Sequence, residues 1–158
     1  MSHWDLYSTI AIRLSPALLA GSILGLNRWL HHKSAGIRTH SLVAIGSATA
    51  VMLISDFVQD DAQAISRVLQ GLITGLGFLG AGVIIHEQRS SKIHGLTTAA
   101  SLWTCALIGA VFGAGQYMLG LMSIGAVFLA LALGGPMERL ISRLTGIKRG
   151  SEISDDYD

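Results

Sequence analysis

Five stretches of about 20 mostly apolar residues, each long enough to cross a bilayer as a helix, decide what this chain can become. They run roughly over 9–30, 41–58, 67–86, 96–114 and 117–135. Lipid offers no hydrogen bonds to a bare backbone, and a helix satisfies its own. The pattern therefore predicts an all-α, polytopic membrane protein with five transmembrane helices. Composition agrees: 13% of the residues are charged, where a soluble domain carries about 25%.

Charge gives the direction of threading. Arg28, Lys33, Arg38, Arg89, Lys92, Arg139, Arg143, Lys148 and Arg149 fall at one set of span ends, and Arg13 and Arg67 at the other. Basic residues mark the cytoplasmic side, so the N-terminus is expected outside and the C-terminus inside. The opening residues, MSHWDLYSTIAIRLSPALLAG, lack the basic leader of a secretory signal, so the first span is expected to be retained, with Trp4 and Tyr7 at the interface. After the transmembrane domain, 1–136, residues 137–149 place Met137, Leu140, Ile141, Leu144 and Ile147 on one face, the pattern of a short amphipathic interfacial helix. Residues 150–158 read as a disordered acidic tail.

The chain holds 19 glycines, and they are spaced as on helices. Gly21/Gly25, Gly71/Gly75 and Gly109/Gly113 are G-x-x-x-G pairs, in spans one, three and four. Small residues let helix backbones approach closely in lipid, which points to packing within the bundle or to a homodimer face. Span three also carries Gly77, Gly80 and Gly82. Such density predicts either close neighbours or a broken helix of the kind found at transport sites.

The polar residues near the basic ends are the candidate functional cluster. Span one ends in Asn27 and Arg28. The stretch HHKSAGIRTH anchors topology with its basic residues and brings Arg38, Thr39 and His40 to the start of span two, where Thr39 is placed to cap the helix. A helix N-terminus with an arginine suits an anion such as lipid phosphate. The loop before span four adds His86, Glu87 and His94, followed by Thr97 and Thr98. These two loops are expected to converge into a hydrogen-bonded network closing the cytoplasmic mouth. Metal ligation by His40, His86, His94 and Glu87 is the weaker reading, because no regular ligand spacing supports it. Asp56, Asp60 and Asp61 in the opposite loop are weak candidates for a hard cation. Cys105 alone makes no disulfide and is expected to be buried. No carboxylate sits at mid-span, which argues against an ordinary proton-coupled carrier. No nucleophile–base pair or phosphate loop is present, so no enzymatic activity and no cofactor are expected, nor is binding to nucleic acid.

The segments GLNRWLHHKSAGIRTHSLVAIGS, GLGFLGAGVI and HGLTTAASLWTCALIGAVFGAG, in this order, resemble the MgtC/SapB family of bacterial inner-membrane proteins, from about Gly21 to about Arg143. Family motif positions fall on Arg28, Arg38, Thr39, His40, Gly77, Gly80, Gly82, Gly95, Leu96, Thr97, Thr98 and Trp103. The resemblance implies a five-helix domain linked to magnesium limitation, acid stress and, in pathogens, virulence. One virulence member is associated with restraint of the membrane sector of the F-type ATP synthase. The implied function is that of a regulator acting through other membrane proteins, with a small transporter or channel for Mg2+ or protons as the alternative. Membrane lipids and a second copy of the chain, most simply in a dimer, are the expected partners. Two departures stand out. The family's G-L-E-R has Asn27 in place of Glu here, and the soluble C-terminal domain of many members is not expected.

Overall fold

A computed structural model describes residues 3–57, 62–87 and 92–145. Its elements in chain order are α1 (His3–Leu30), α2 (Ile37–Phe57), α3 (Ala62–Val83), β1 (Ile85–Glu87), β2 (Lys92–His94), α4 (Leu96–Gly113) and α5 (Tyr117–Thr145). All five helices are long and apolar enough to span a membrane. By length and composition the chain is a multi-pass membrane protein.

Three helices form the core. α1, α2 and α4 each pack against the other two, and their shared surface is lined by Ala17, Ala20, Leu24, Ala44, Ala48, Cys105, Ile108 and Phe112. The alanines and glycines set the spacing. A Cβ on Gly21 would lie 2.7 Å from the His40 carbonyl oxygen, and one on Gly25 2.5 Å from the Ile37 Cα. Gly109 and Gly113 meet Ala44 and Ala48 of α2 in the same way. Two of the three G-x-x-x-G pairs thus pack within the bundle. The third, Gly71/Gly75, meets nothing within 4 Å.

The helix ends follow local chemistry. At the end of α1, Lys33 N–H donates to the Arg28 carbonyl (3.1 Å) and His32 N–H to Trp29 (3.0 Å). This is the paired bonding of a Schellman stop, with His32 at φ 51° where glycine is usual. α4 stops in the same way. Gln116 N–H donates to the Val111 carbonyl (3.0 Å) and Gly115 N–H to Phe112 (2.9 Å), with Gly115 at φ 76°. This turn makes a tight hairpin of α4 and α5 around Gln116, and Gly120 then leaves room for the Phe112 ring.

Of the two alternatives for the glycines of span three, the broken helix is excluded: α3 is continuous from Ala62 to Val83. Three expectations need correction. The segment between α3 and α4 is not all loop, because β1 and β2 pair antiparallel with His86 opposite Ile93 and Glu87 opposite Lys92. Residues 137–145 form no separate helix. α5 is continuous through Pro136 to Thr145, since a proline removes only one helical N–H and the bonds on either side hold the helix. Thr39 does not cap α2: the helix starts at Ile37, which places Thr39 inside the first turn. Residues 146–149 and the tail at 150–158 lie outside the described residues.

Candidate functional site

Where α1 ends and α2 and α4 begin, the core turns polar. Arg28, in the last turn of α1, is 5% exposed. Its Nη2–H donates to the Thr98 hydroxyl at 2.7 Å, joining α1 to the first turn of α4. One turn further, Ser101 donates to the Thr98 carbonyl at 2.8 Å, and the Ser101 oxygen is 3.0 Å from His40 Nε2. His40 is fully buried on α2. Its Nδ1 lies 3.0 Å from the Gly36 carbonyl, which can only accept, so Nδ1 carries a proton. In a neutral ring Nε2 then accepts, and the single Ser101 proton has two acceptors, His40 Nε2 and the Thr98 carbonyl. The Cys105 thiol donates to the His40 carbonyl at 3.3 Å, and Ser22 and Ser41 share a bond of 3.0 Å between α1 and α2.

The result is one buried chain, Arg28–Thr98–Ser101–His40–Gly36, linking the three core helices at one end. Hydrogen bonds buried away from water are costly to leave unmade, so each member constrains the next. Both His40 ring nitrogens are engaged within the protein, which leaves none for a metal ion. Among the described residues no group of three or more His, Cys, Asp or Glu is placed to hold one.

The sequence-derived cluster divides accordingly. Arg28, His40 and Thr98 come together. Arg38 and Thr39 are exposed in the first turn of α2. Asn27 is half-buried, and its carbonyl accepts from His31 Nδ1 at 2.7 Å. Thr97 and His94 are half-buried at the start of α4 and the end of β2. His86 and Glu87 have their backbones in β1. Asp56 belongs to α2, while Asp60 and Asp61 lie outside the described residues. Ser101, Ser22 and Ser41 were absent from that cluster. A serine in an apolar span has no charge to draw attention, and the signal available was position: Ser101 falls one turn after Thr98 on the same face. At the opposite end, Arg13 Nη1–H donates to the Gly113 carbonyl at 3.2 Å, tying α1 to the C-terminus of α4.

The model of the MgtC family matches residues 14–140. The chain is 43% identical over 136 residues to SrpB of Synechococcus elongatus, covering 80% of this chain and 74% of that protein. It is 35% identical over 150 residues to MgtC of Brucella abortus, covering 94% of this chain and 60% of the relative. It is also 40% identical over 129 residues to YhiD of Escherichia coli, whose name proposes a magnesium transporter, covering 77% of this chain and 58% of YhiD. No solved structure matches the chain significantly.

Proposed function

The chain belongs to the MgtC family, and on that footing we propose that it is a non-catalytic bacterial inner-membrane protein linked to magnesium homeostasis, regulating other membrane proteins. The proposed orientation puts the Arg28–His40–Thr98 end in the cytoplasm and the N-terminus outside, following the bias of Lys and Arg. Exposed Arg38 beside the start of α2 then faces anionic headgroups, and the apolar face of Met137, Leu140, Ile141 and Leu144 meets the inner interface.

The observation that carries a regulatory rather than a transporting role is the packing of the polar cluster. Arg28, His40, Thr98 and Ser101 are each at most 5% exposed and bonded to one another where a path between α1, α2 and α4 would open. Polar groups that serve a moving ion need room for water or ion, and here the Thr98 and Ser101 hydroxyls and both His40 ring nitrogens are held by neighbours within the protein. A regulator needs instead a rigid body that presents outer faces to partners.

One candidate target is the membrane sector of the F-type ATP synthase. The test is ATP-driven proton pumping in inverted membrane vesicles, with and without this chain produced in the same cells under magnesium limitation. Reduced pumping at unchanged synthase content supports this target. Unchanged pumping removes it.

The alternative is a small Mg2+ or proton transporter, which the name of YhiD favours. It requires the buried cluster to open, and it is separated from regulation by flux.

A further inference from the structure

The described parts of α3 and α5 are the least covered by the rest of the chain: 6% of each apolar window is buried, against 56% for α4. The two uncovered surfaces differ in kind. α5 turns Met118, Leu119, Leu121, Met122, Leu129 and Leu133 outward, side chains that lipid solvates well. α3 exposes Ile73, Phe78 and Leu79, but beside them it carries polar and small residues outward. Gln63, Arg67, Gln70, Thr74, Gly77 and Ala81 are all exposed, and their spacing alternates between four and three residues. On a helix that spacing makes a single straight stripe with a period of 3.5 residues. The stripe lies on the side of α3 away from Leu76, the residue α3 buries in the bundle.

A polar stripe turned toward lipid is unfavourable unless another helix meets it. Counting about 1.5 Å per residue from Ala62, Gln70 lies about 12 Å along the helix and Thr74 about 18 Å, near mid-membrane. Among the described residues, the Gln70 amide makes one long bond, 3.4 Å from Nε2 to Ser66 in its own helix. A second amide N–H and the side-chain carbonyl oxygen remain. Thr74 donates to the Gln70 backbone carbonyl at 2.8 Å, and Gly77 meets nothing within 4 Å.

We propose that this stripe of α3 is the interface of a homodimer, in which two α3 helices lie side by side in parallel. Every copy inserts in the same direction, so a two-fold axis along the membrane normal sets like residues opposite each other. The glutamine amide suits that symmetry, because it is both donor and acceptor and pairs with its own copy. Gly77 and Ala81 let the backbones approach, and the 3.5 period gives a left-handed crossing near +20°. Arg67 lies about 8 Å from the helix start, where its long side chain carries the charge out to the headgroups and away from its mate. The inference holds whether the protein regulates or transports.

The test is disulfide trapping in native membranes with copper phenanthroline, using Gln70→Cys, Thr74→Cys, Gly77→Cys and, as the comparison, Leu129→Cys on α5. Native Cys105 is buried and stays in place. Cysteines facing across the stripe fall within disulfide reach, so the three α3 variants should give covalent homodimers at least about tenfold faster than Leu129→Cys. Gln70→Leu, in the chain without added cysteine, should weaken dimerisation in dilute vesicles by roughly 3- to 10-fold. Equal trapping at Leu129→Cys, adducts to a different protein in place of a second copy, or unchanged dimerisation in Gln70→Leu would overturn the proposal.

Discussion

The guanidinium of Arg28 donates across the bundle to the hydroxyl of Thr98, 2.7 Å away and 70 residues along the chain. It joins the end of α1 to the beginning of α4 between two buried residues, Arg28 at 5% and Thr98 at 1% exposure. A charged donor in that setting depends on its acceptor. Thr98→Val keeps the shape and removes the oxygen, so it should destabilise the protein by about 2–3 kcal/mol. Thr98→Ser keeps the oxygen and loses one methyl group, at about 1 kcal/mol. Thermal midpoints in detergent micelles check the order of the two.

Glycine substitutions should divide by where the new methyl lands. A Cβ on Gly109 would fall 2.8 Å from the Ala44 carbonyl carbon, backbone that can yield only if α2 and α4 separate. Gly109→Ala should therefore cost about 1–3 kcal/mol. Gly75→Ala meets open space and should be neutral, or stabilising by up to about 1 kcal/mol through better helix propensity. The same denaturation measurement on both variants decides it.

Gly95 is the most tightly enclosed of the described glycines. It sits at φ 89° ahead of α4, and any Cβ there would run into the Val83 carbonyl. Gly95→Ala combines an unfavourable backbone conformation with a clash and should cost about 3 kcal/mol or more, read as loss of extractable folded protein. Gly82→Ala, with nothing nearby, should accumulate as the unaltered chain does.

His40 and Ser101 should behave as a coupled pair. In a double-mutant cycle of His40→Ala and Ser101→Ala, the two effects should fall short of additivity by about 1 kcal/mol. Arg38→Ala and Thr39→Ala, on the exposed side of the same turn, should each shift stability by no more than about 0.5 kcal/mol. Additive effects at His40 and Ser101 would mean their 3.0 Å contact carries no energy.

Much of the fold was legible because a membrane limits the choices: each apolar run became a helix, and the glycine pairs of spans one and four became contacts with α2. What a window of hydropathy does not register is a single proline in a helix whose other bonds hold, hence the missed continuity of α5 through Pro136. In the site, Arg28, His40 and Thr98 were visible as polar residues at span ends. Arg38 and Thr39 look equally polar, but the helix starts at Ile37 and the turn of α2 carries them outward while His40 points in. Ser101 carries no charge and gained its role from a contact between α2 and α4 that no local pattern encodes. The outward stripe of α3 is written in the sequence at a period of 3.5, hidden there among more conspicuous glycines.

The most direct measurement is Mg2+ and proton flux into liposomes containing the purified chain, beside protein-free liposomes and a Thr98→Ser control that keeps the buried hydrogen bond to Arg28. A closed, regulatory core predicts flux no greater than that of protein-free liposomes. Flux well above that level, retained in Thr98→Ser and lost in His40→Ala under conditions where both variants remain folded, would contradict it and make the buried cluster a gate.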